Sequence, residues 1–322
     1  MTVYDRRLLT PPDEKEEIYP YRRVWHSLVI ENVALVILCT GVFVVFGLIQ
    51  LHLPSRVMLG VNGLLIAFPV IAWLIFSVFR ERSVPEPRHR LIAVFVVSAL
   101  AANALAIPFI EQVMQPEKWL PLGGAINRII GYTFTVGIIQ ETTKYAVVRF
   151  LTWPEQFRTR LDSVAYCASS ALGYAVVLNA RFLLNAPGAT PDVVATQVFN
   201  NVAVNLAASL IVSYGLSEVR FDKPTPFLLT ITIAFAALVN GIVIPLRSGL
   251  TNATFVLTSV ASDSQSLLNA LTAAFALRSS TPKPILGLGF SAAILVAFAV
   301  VVAFLFNNAE RQAREALASR EV

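Results

Sequence analysis

Charged residues are scarce in this chain. They make up 14% of its 322 residues, whereas hydrophobic residues make up 56%. A soluble domain carries about 25% charged residues, because its surface has to face water. The apolar residues also fall in runs of roughly twenty, the length that a helix needs to cross a bilayer core about 30 Å thick. Composition therefore excludes a soluble globular protein and predicts an all-α polytopic membrane protein.

Cysteine and histidine are also scarce, with 2 and 3 residues respectively. Cys39 and Cys167 lie separately inside apolar runs, and the three histidines fall at or beyond the ends of such runs. Neither residue type has the spacing of a disulfide framework or of a zinc site. We therefore expect no metal ion and no other cofactor.

Eight membrane spans are predicted from the apolar runs and from the proline-containing breaks between them. They cover approximately residues 31–51, 58–79, 91–113, 126–150, 162–184, 193–217, 226–246 and 284–306. Residues 251–280 are apolar but interrupted by Ser, Asp, Gln and Asn, and we interpret them as an outer-face interfacial or re-entrant helix. A ninth span over those residues is the alternative.

The basic residues predict the orientation of these spans. Of the 25 Lys and Arg residues, seventeen lie on the side of the N-terminus, seven lie on the opposite side, and Lys144 lies within a span. Cytoplasmic loops carry the excess of Lys and Arg in membrane proteins. We therefore expect a multi-pass protein of the cytoplasmic (inner) membrane with both termini cytoplasmic. The basic residues then mark topology, and they do not indicate a nucleic-acid partner.

The predicted organisation has five parts. A cytoplasmic arm of residues 1–30 precedes three accessory spans in residues 31–113. A four-helix core follows in residues 126–246, then the interfacial segment 251–280, and finally the last span with its cytoplasmic tail in residues 284–322.

An ionisable pair stands out inside the fourth span. Glu141 and Lys144 are three residues apart, so they share one face of a helix and can pair. A charged side chain at membrane depth costs about 2.5–3.5 kcal/mol on insertion scales and usually marks a functional site. The alternative is a buried structural ion pair. Spans four to seven hold most of the other intramembrane polar residues, among them Gln140, Asp162, Asn179, Asn205 and Asn240.

Several of these polar residues have ordinary structural explanations. Asn205 and Asn240 are of the type that forms hydrogen bonds between membrane helices. Asp162 stands at a helix start, where an aspartate commonly serves as an N-terminal cap. Tyr166 and Tyr174 are expected to be packing residues.

The stretch from Phe134 to Leu184 resembles the core of PrsW-type intramembrane proteases, which are relatives of the CAAX-protease and bacteriocin-processing superfamily. That family has a Glu-Glu-x-x-Lys motif late in one span, and the corresponding residues here are Gln140-Glu141-Thr142-Thr143-Lys144. Its next motif runs from Phe-x-x-Pro-Leu-Asp-Gly to Glu-Asn, and here it reads from Phe157 through Asp162 to Leu178-Asn179 without a gap. The resemblance implies a core of spans four to seven and places Glu141, Lys144, Asp162 and Asn179 on family positions.

The departures from the family pattern concern the reactive groups. Gln140 replaces the first glutamate, and Leu178 replaces the glutamate before Asn179. Asn205 and Asn240 align with positions where the resemblance implies histidines. Amide hydrolysis by water needs a general base and a group that stabilises the oxyanion. An amide side chain cannot serve as that base, so the resemblance combined with these departures predicts an eroded active site.

Three functions are compatible with this sequence. The first is a catalytically inactive relative that acts as a scaffold or binding subunit for a transmembrane partner, or for lipid, within a larger membrane assembly. Asp162, Asn179, Asn205 and Asn240 would then bind the partner, and Gln140 would assist. The second is an active intramembrane endopeptidase that cleaves a membrane-anchored substrate with Glu141, aided by Gln140 and Lys144. The third, a transporter of small solutes or lipids, lacks the inverted repeat and paired broken helices typical of that class.

Overall fold

The computed structural model describes residues 23–51, 53–81, 88–120, 124–221, 227–251 and 284–318. Within these ranges the chain is helical and contains no strand. Eight long helices follow one another, and four of them contain π-helical segments. Their bounds are α1, Arg23–Val42 with a π-helical end Phe43–Leu48; α2, Ser55–Trp73, Leu74–Val78 (π) and Phe79–Glu81; α3, Leu91–Ala101, Ala102–Ala106 (π) and Phe109–Met114 (π); α4, Ala125–Tyr132, Thr133–Gly137 (π) and Ile138–Leu151; α5, Arg160–Asn185; α6, Pro191–Phe221; α7, Leu228–Thr251; and α8, Pro284–Ala318.

Seven of these helices are long and apolar enough to cross a membrane. The exception is α4, which is long but carries Arg128, Glu141, Lys144 and Arg149. It nevertheless packs against α5, α6 and α7 like the other core helices. The predicted all-helical, multi-pass fold is therefore confirmed, with eight long helices among the described residues, of which seven are candidate spans and α4 is the polar one.

The first helix begins earlier than the sequence predicted. It starts at Arg23, eight residues before the predicted span, because Val24, Trp25 and the following apolar residues extend the hydrophobic stretch. The rest of the predicted arm, residues 1–22, lies outside the described residues. So does the predicted interfacial segment 251–280, apart from Thr251 at the end of α7.

Helix α6 forms the centre of the molecule. In its most apolar window 89% of the residues are buried inside the protein, against 17% in α1 and in α8. It packs mainly against α5, α7 and α8 and also contacts α1 and α2. Small residues such as Ala203, Ala207 and Ala208, all with no exposed surface, let its neighbours approach closely.

Glycines set the closest helix contacts of the core. A Cβ on Gly137 of α4 would overlap the backbone oxygen of Ala237 in α7, and a Cβ on Gly241 of α7 would overlap the hydroxyl of Thr133 in α4. These reciprocal contacts fix α4 against α7 on both sides of their crossing. Only glycine allows a backbone-to-backbone approach of this kind.

Ion pairs join the helix ends on one side of the molecule. Arg88 bonds Glu81 at the end of α2 at 2.8 Å and Asp162 at the start of α5 at 2.5 Å. On the same side, Arg160 of α5 pairs with Glu218 near the end of α6. The late part of α8 also lies here, since Phe306 packs on Tyr214 of α6 with ring centroids 6.0 Å apart. We call this side the basic end.

Candidate functional site

Helix α4 supplies the charged residues of the candidate site. Gln140, Glu141 and Lys144 are 7%, 0% and 3% exposed, so the whole polar face of the helix is inside the protein. The π-helical segment Thr133–Gly137 ends three residues before Gln140. π-Helical segments inside α-helices are frequent at functional sites.

Glu141 and Lys144 form a buried ion pair, as their spacing predicted. The distance from Lys144 Nζ to Glu141 Oε1 is 2.7 Å. The same carboxylate oxygen accepts a hydrogen bond of 2.8 Å from Asn240 Nδ2 of α7. Glu141 Oε1 is thereby held by two donors, an ammonium group and an amide.

The ammonium group of Lys144 reaches across to α6. It donates to Asn205 Oδ1 at 3.1 Å and lies 3.4 Å from the backbone oxygen of the same residue. It also lies 5.9 Å from the centre of the Tyr174 ring on α5, within cation–π range. Glu141, Lys144, Asn205 and Asn240 therefore form one connected set, which we call the Glu141 cluster.

Hydrogen bonds extend this cluster along α6. Asn205 Nδ2 donates to the backbone oxygen of Asn201 at 2.9 Å, and Asn201 Nδ2 donates to Asn179 Oδ1 on α5 at 2.8 Å. Gln197, Asn201, Asn205 and Ser209 recur at intervals of four residues. They span about 18 Å at a rise of 1.5 Å per residue. A row of polar residues thus runs along α6 on both sides of the ion pair, with Asn201 and Gln197 toward the end opposite the basic end and Ser209 toward the basic end.

Some polar atoms of this region have no hydrogen-bond partner among the described residues. They are Glu141 Oε2, Asn179 Nδ2, Asn200 Oδ1 and Ser209 Oγ. All four side chains are 2% exposed or less. Buried polar groups are almost always hydrogen-bonded in native proteins. These atoms therefore offer one donor, two acceptors and a hydroxyl to water or to a polar ligand.

Asp162 does not join the cluster. It lies seventeen residues before Asn179 on α5, which is about 25 Å along the helix axis. Its Oδ2 accepts hydrogen bonds of 2.7 and 2.8 Å from the backbone N–H groups of Arg158 and Thr159, and its Oδ1 pairs with Arg88. Asp162 therefore caps α5 and ties it to the basic end, as the structural alternative for this residue predicted.

The other predicted site residues are brought together. Glu141, Lys144, Asn205 and Asn240 are in direct contact, and Asn179 joins through a single intermediate. Gln140 faces Tyr174, the side chain that also packs on the ammonium group.

The sequence analysis did not assign Asn201 or Tyr174 to the site. Asn201 lies four residues before Asn205, so the two side chains share one face of a helix. This spacing could have identified Asn201 as a member of the site. Nothing in the sequence distinguished Tyr174 from a packing residue, since its role depends on the crossing of α4 and α5.

The fold and this cluster define a class of protein: a multi-pass α-helical membrane protein with an ion-paired polar site buried among its spans. Residues 86–218 match the family described as PrsW family intramembrane metalloprotease. The chain therefore contains a PrsW-family domain, as the sequence resemblance predicted. The match covers less than half of the 322 residues and comprises α3 to α6, so Asn240 on α7 lies outside it. No curated protein and no solved structure matches the chain.

The family description implies a metal ion, and the donor set of this cluster does not fit one. Zinc in proteins is bound by thiolate, imidazole and carboxylate groups. In the part of the chain that the structure describes, no three Cys, His, Asp or Glu side chains come together. The cluster offers one carboxylate, and an ammonium group already holds one of its oxygens.

Proposed function

We propose that this chain is a non-catalytic PrsW-type protein that binds a membrane-embedded segment of a partner protein in its core without cleaving it. The alternative ligand of the same site is a lipid molecule. The observation that carries the proposal is the environment of Glu141. Its Oε1 is held by Lys144 at 2.7 Å and by Asn240 at 2.8 Å.

The chemistry of the neighbouring groups supports binding over hydrolysis. A general base must take a proton from water, and the group next to Glu141 is Gln140, an amide that cannot do so at neutral pH. Asn205 and Asn240 occupy the opposite sides of the ion pair, and their amides are committed to Lys144, to Glu141 and to backbone oxygens. This arrangement holds the charges in place and leaves one oxygen, Glu141 Oε2, for a ligand.

The unpartnered atoms of the region indicate a polar ligand. Leaving a buried donor or acceptor unsatisfied costs about 1–3 kcal/mol, and a ligand that supplies the missing partner recovers that cost. A helix that unwinds in the membrane exposes backbone N–H and C=O groups. Glu141 Oε2 would accept from such an N–H, and Asn179 Nδ2 would donate to such a C=O.

The charge distribution extends the proposal to location and assembly. Arg23, Arg80, Arg88, Arg160 and Arg220 all belong to the basic end, which we assign to the cytoplasm by the positive-inside rule. Both termini would then be cytoplasmic in an inner membrane. The protein would act as a subunit of a larger membrane complex.

A second candidate is an active endopeptidase that uses Glu141. The observation in its favour is the unpartnered Glu141 Oε2, which is buried in the core. In this mechanism Oε2 would take the proton from the attacking water. Lys144 would stabilise the negative charge that develops on the substrate oxygen.

Affinity purification from the native membrane in mild detergent tests the proposal. The wild type, Glu141→Gln and Glu111→Gln would be compared by mass spectrometry; Glu111 is an exposed acid on α3 and serves as the matched control. We expect the same intact membrane protein, or bound lipid, with the wild type and Glu111→Gln, and a reduced yield of it with Glu141→Gln and with Asn179→Leu. Shortened fragments of a membrane protein that disappear only with Glu141→Gln would establish the endopeptidase instead. Recovery of neither partner nor lipid would contradict the scaffold.

A further inference from the structure

Helix α3 consists of two unlike halves. The half that starts at the basic end, Leu91–Ala101, is a regular α-helix, whereas the other half contains the π-helical segments Ala102–Ala106 and Phe109–Met114. Pro108 lies between these segments, and it has no backbone N–H with which to continue the helical hydrogen bonds. Helices bend at prolines and at π segments. We call the irregular half, Ala102–Met114, the α3 strap.

The regular half of α3 is fixed to α5 by buried hydrogen bonds. Ser98 Oγ donates to the backbone oxygen of Ser170 at 2.7 Å, and Ser169 Oγ donates to the backbone oxygen of Leu91 at 2.7 Å. The three serines have no exposed surface. Hydrogen bonds in a low-dielectric interior are stronger than those exposed to water, so this half of the helix should move with the core.

The α3 strap is held to α5 by exposed bonds instead. Arg181 of α5 donates to the side-chain and backbone oxygens of Asn103 at 3.3 Å, and its Nη1 lies 2.7 Å from Glu111 Oε2. The side chains of Arg181 and Glu111 are 28% and 52% exposed. Exposed ion pairs contribute little to stability. Beyond the strap, the buried side chain of Leu120 packs against Gly131 of α4 and anchors the chain again.

The α3 strap covers one edge of the Glu141 cluster. Ala102 and Ala106 form a small apolar cluster with Tyr174 of α5, separate from the main hydrophobic core, and all three side chains are 2% exposed or less. The Tyr174 ring is the one that lies 5.9 Å from the ammonium group of Lys144. The strap is therefore the layer between this edge of the cluster and the bilayer.

A ligand of the Glu141 cluster needs an opening between helices. Glu141 and Lys144 are at most 3% exposed, and the most apolar window of α6 is 89% buried. The contact of α4 with α7 is a close backbone approach at two glycines. Leu105 and Phe109 of the strap, by contrast, are 68% and 43% exposed. Among the segments that cover the cluster, the strap is thus the one held by exposed bonds and by small side chains.

We propose that the α3 strap is a movable cover, which separates from α5 to admit a membrane segment of the partner to the Glu141 cluster. This inference rests on the proposed function and adds the route by which the ligand enters. Opening breaks the exposed bonds of Arg181 and the contact of the two alanines with Tyr174. It leaves the Glu141 cluster itself and the main hydrophobic core intact.

Distances between spin labels on the full chain in lipid nanodiscs test the movement. After both native cysteines are replaced by alanine, one label is placed on Val300 of α8 and the second on Phe109 of the strap or on Leu100 of the regular half. These side chains are 62%, 43% and 62% exposed, so the labels leave the packing intact. Helices pack with their axes about 8–10 Å apart. We therefore expect a second Phe109–Val300 distance that differs from the main one by roughly that amount, and a single Leu100–Val300 distance.

The bonds of Arg181 should control how often the strap is open. Arg181→Gln removes the guanidinium group and should increase the share of the second distance about twofold to fivefold, the range expected for an exposed ion pair. Glu111→Gln keeps both bonds from Arg181 to Asn103 and serves as the control, with the distances of the wild type. A single strap distance in the wild type and in Arg181→Gln alike would overturn the proposal.

A cross-link tests the route of entry. In Asn103→Cys/Arg181→Cys, without the native cysteines, a flexible bis-maleimide ties the strap to α5. We expect the cross-linked protein to lose the intact membrane protein captured in the affinity purification, and the same variant without the reagent to retain it. Equal capture by both would show that the partner enters elsewhere and would overturn the route. If the wild type captures nothing, the proposed function fails, and the spin labels still decide whether the strap opens.

Discussion

Replacing both members of the Glu141–Lys144 pair should cost less stability than replacing either one. Glu141→Gln removes the charge that balances Lys144 and leaves that ammonium group with Asn205 at 3.1 Å as its hydrogen-bonding partner. Lys144→Met leaves a fully buried carboxylate with only the Asn240 hydrogen bond at 2.8 Å. The double variant Glu141→Gln/Lys144→Met contains no buried charge and nearly the same side-chain volume.

The expected magnitudes follow from the burial of the pair. Removing one partner of a buried ion pair costs about 3–5 kcal/mol, whereas replacing both by groups of similar volume is often neutral or stabilising. Glu141→Gln keeps an acceptor for Asn240, so its loss should be near the lower value, and that of Lys144→Met near the higher one. For a chain of this size roughly 2 °C of Tm corresponds to 1 kcal/mol, so the single variants should melt roughly 6–10 °C lower.

The protein contains its own probes for this measurement. Cys39 on α1 and Cys167 on α5 are the only two cysteines in the sequence, and both are buried and free. A thiol-reactive dye added during heating in detergent therefore labels the chain only as it unfolds. The midpoints of wild type, both single variants and the double variant form a double-mutant cycle.

The exposed pair Arg181–Glu111 provides the control. Its nitrogen–oxygen distance is also 2.7 Å, but the two side chains are 28% and 52% exposed. An exposed pair contributes at most about 1 kcal/mol, so Glu111→Gln should melt close to the wild type. The reasoning fails if Glu141→Gln also melts with the wild type, or if the losses of the two single variants simply add in the double variant.

Three further outcomes are expected. Asp162→Ala should lower the dye midpoint by several degrees, because it removes the cap of α5 and one of the carboxylates that Arg88 bonds; Asp162→Asn keeps an acceptor for the cap and should be milder, and equal midpoints for the two would contradict the capping part of this role. Gly137→Leu should prevent the close contact with Ala237 and reduce the yield of folded protein in size-exclusion chromatography, whereas Gly124→Ala, with open space around its Cα, should not. Asn205→Leu should destabilise the chain by about 1–3 kcal/mol in the same dye assay, since the buried ammonium group of Lys144 loses its side-chain acceptor on α6.

Much of the fold followed from the sequence because a membrane imposes few choices. A run of about twenty apolar residues must be a helix there, since no water is present to bond its backbone. Prolines marked the breaks before α2 at Pro54 and in the loops after α4 and α5. The start of α1 was placed too late, because the acid Glu31 and the charged residues before it masked an apolar helix that begins at Arg23.

The candidate site was predictable in its members but not in its connections. Glu141 and Lys144 follow from local spacing, since a helix brings residues three apart together. The contacts of Asn240 with Glu141 and of Asn205 with Lys144 bridge separations of 99 and 61 residues and depend on how α4, α6 and α7 cross.

The π-helical segment Thr133–Gly137 has a consequence for how this chain can change in length. A π segment accommodates one extra residue as a local widening, so the helix on either side keeps its facing. Deleting one residue there would restore a regular α-helix and leave Glu141 directed at Lys144 and Asn240. Deleting one residue within Ile138–Leu151 would instead turn the following side chains by about 100°. In an alignment of this span with other sequences, a one-residue gap at 133–137 is therefore compatible with an unchanged site, whereas the same gap a turn later is not.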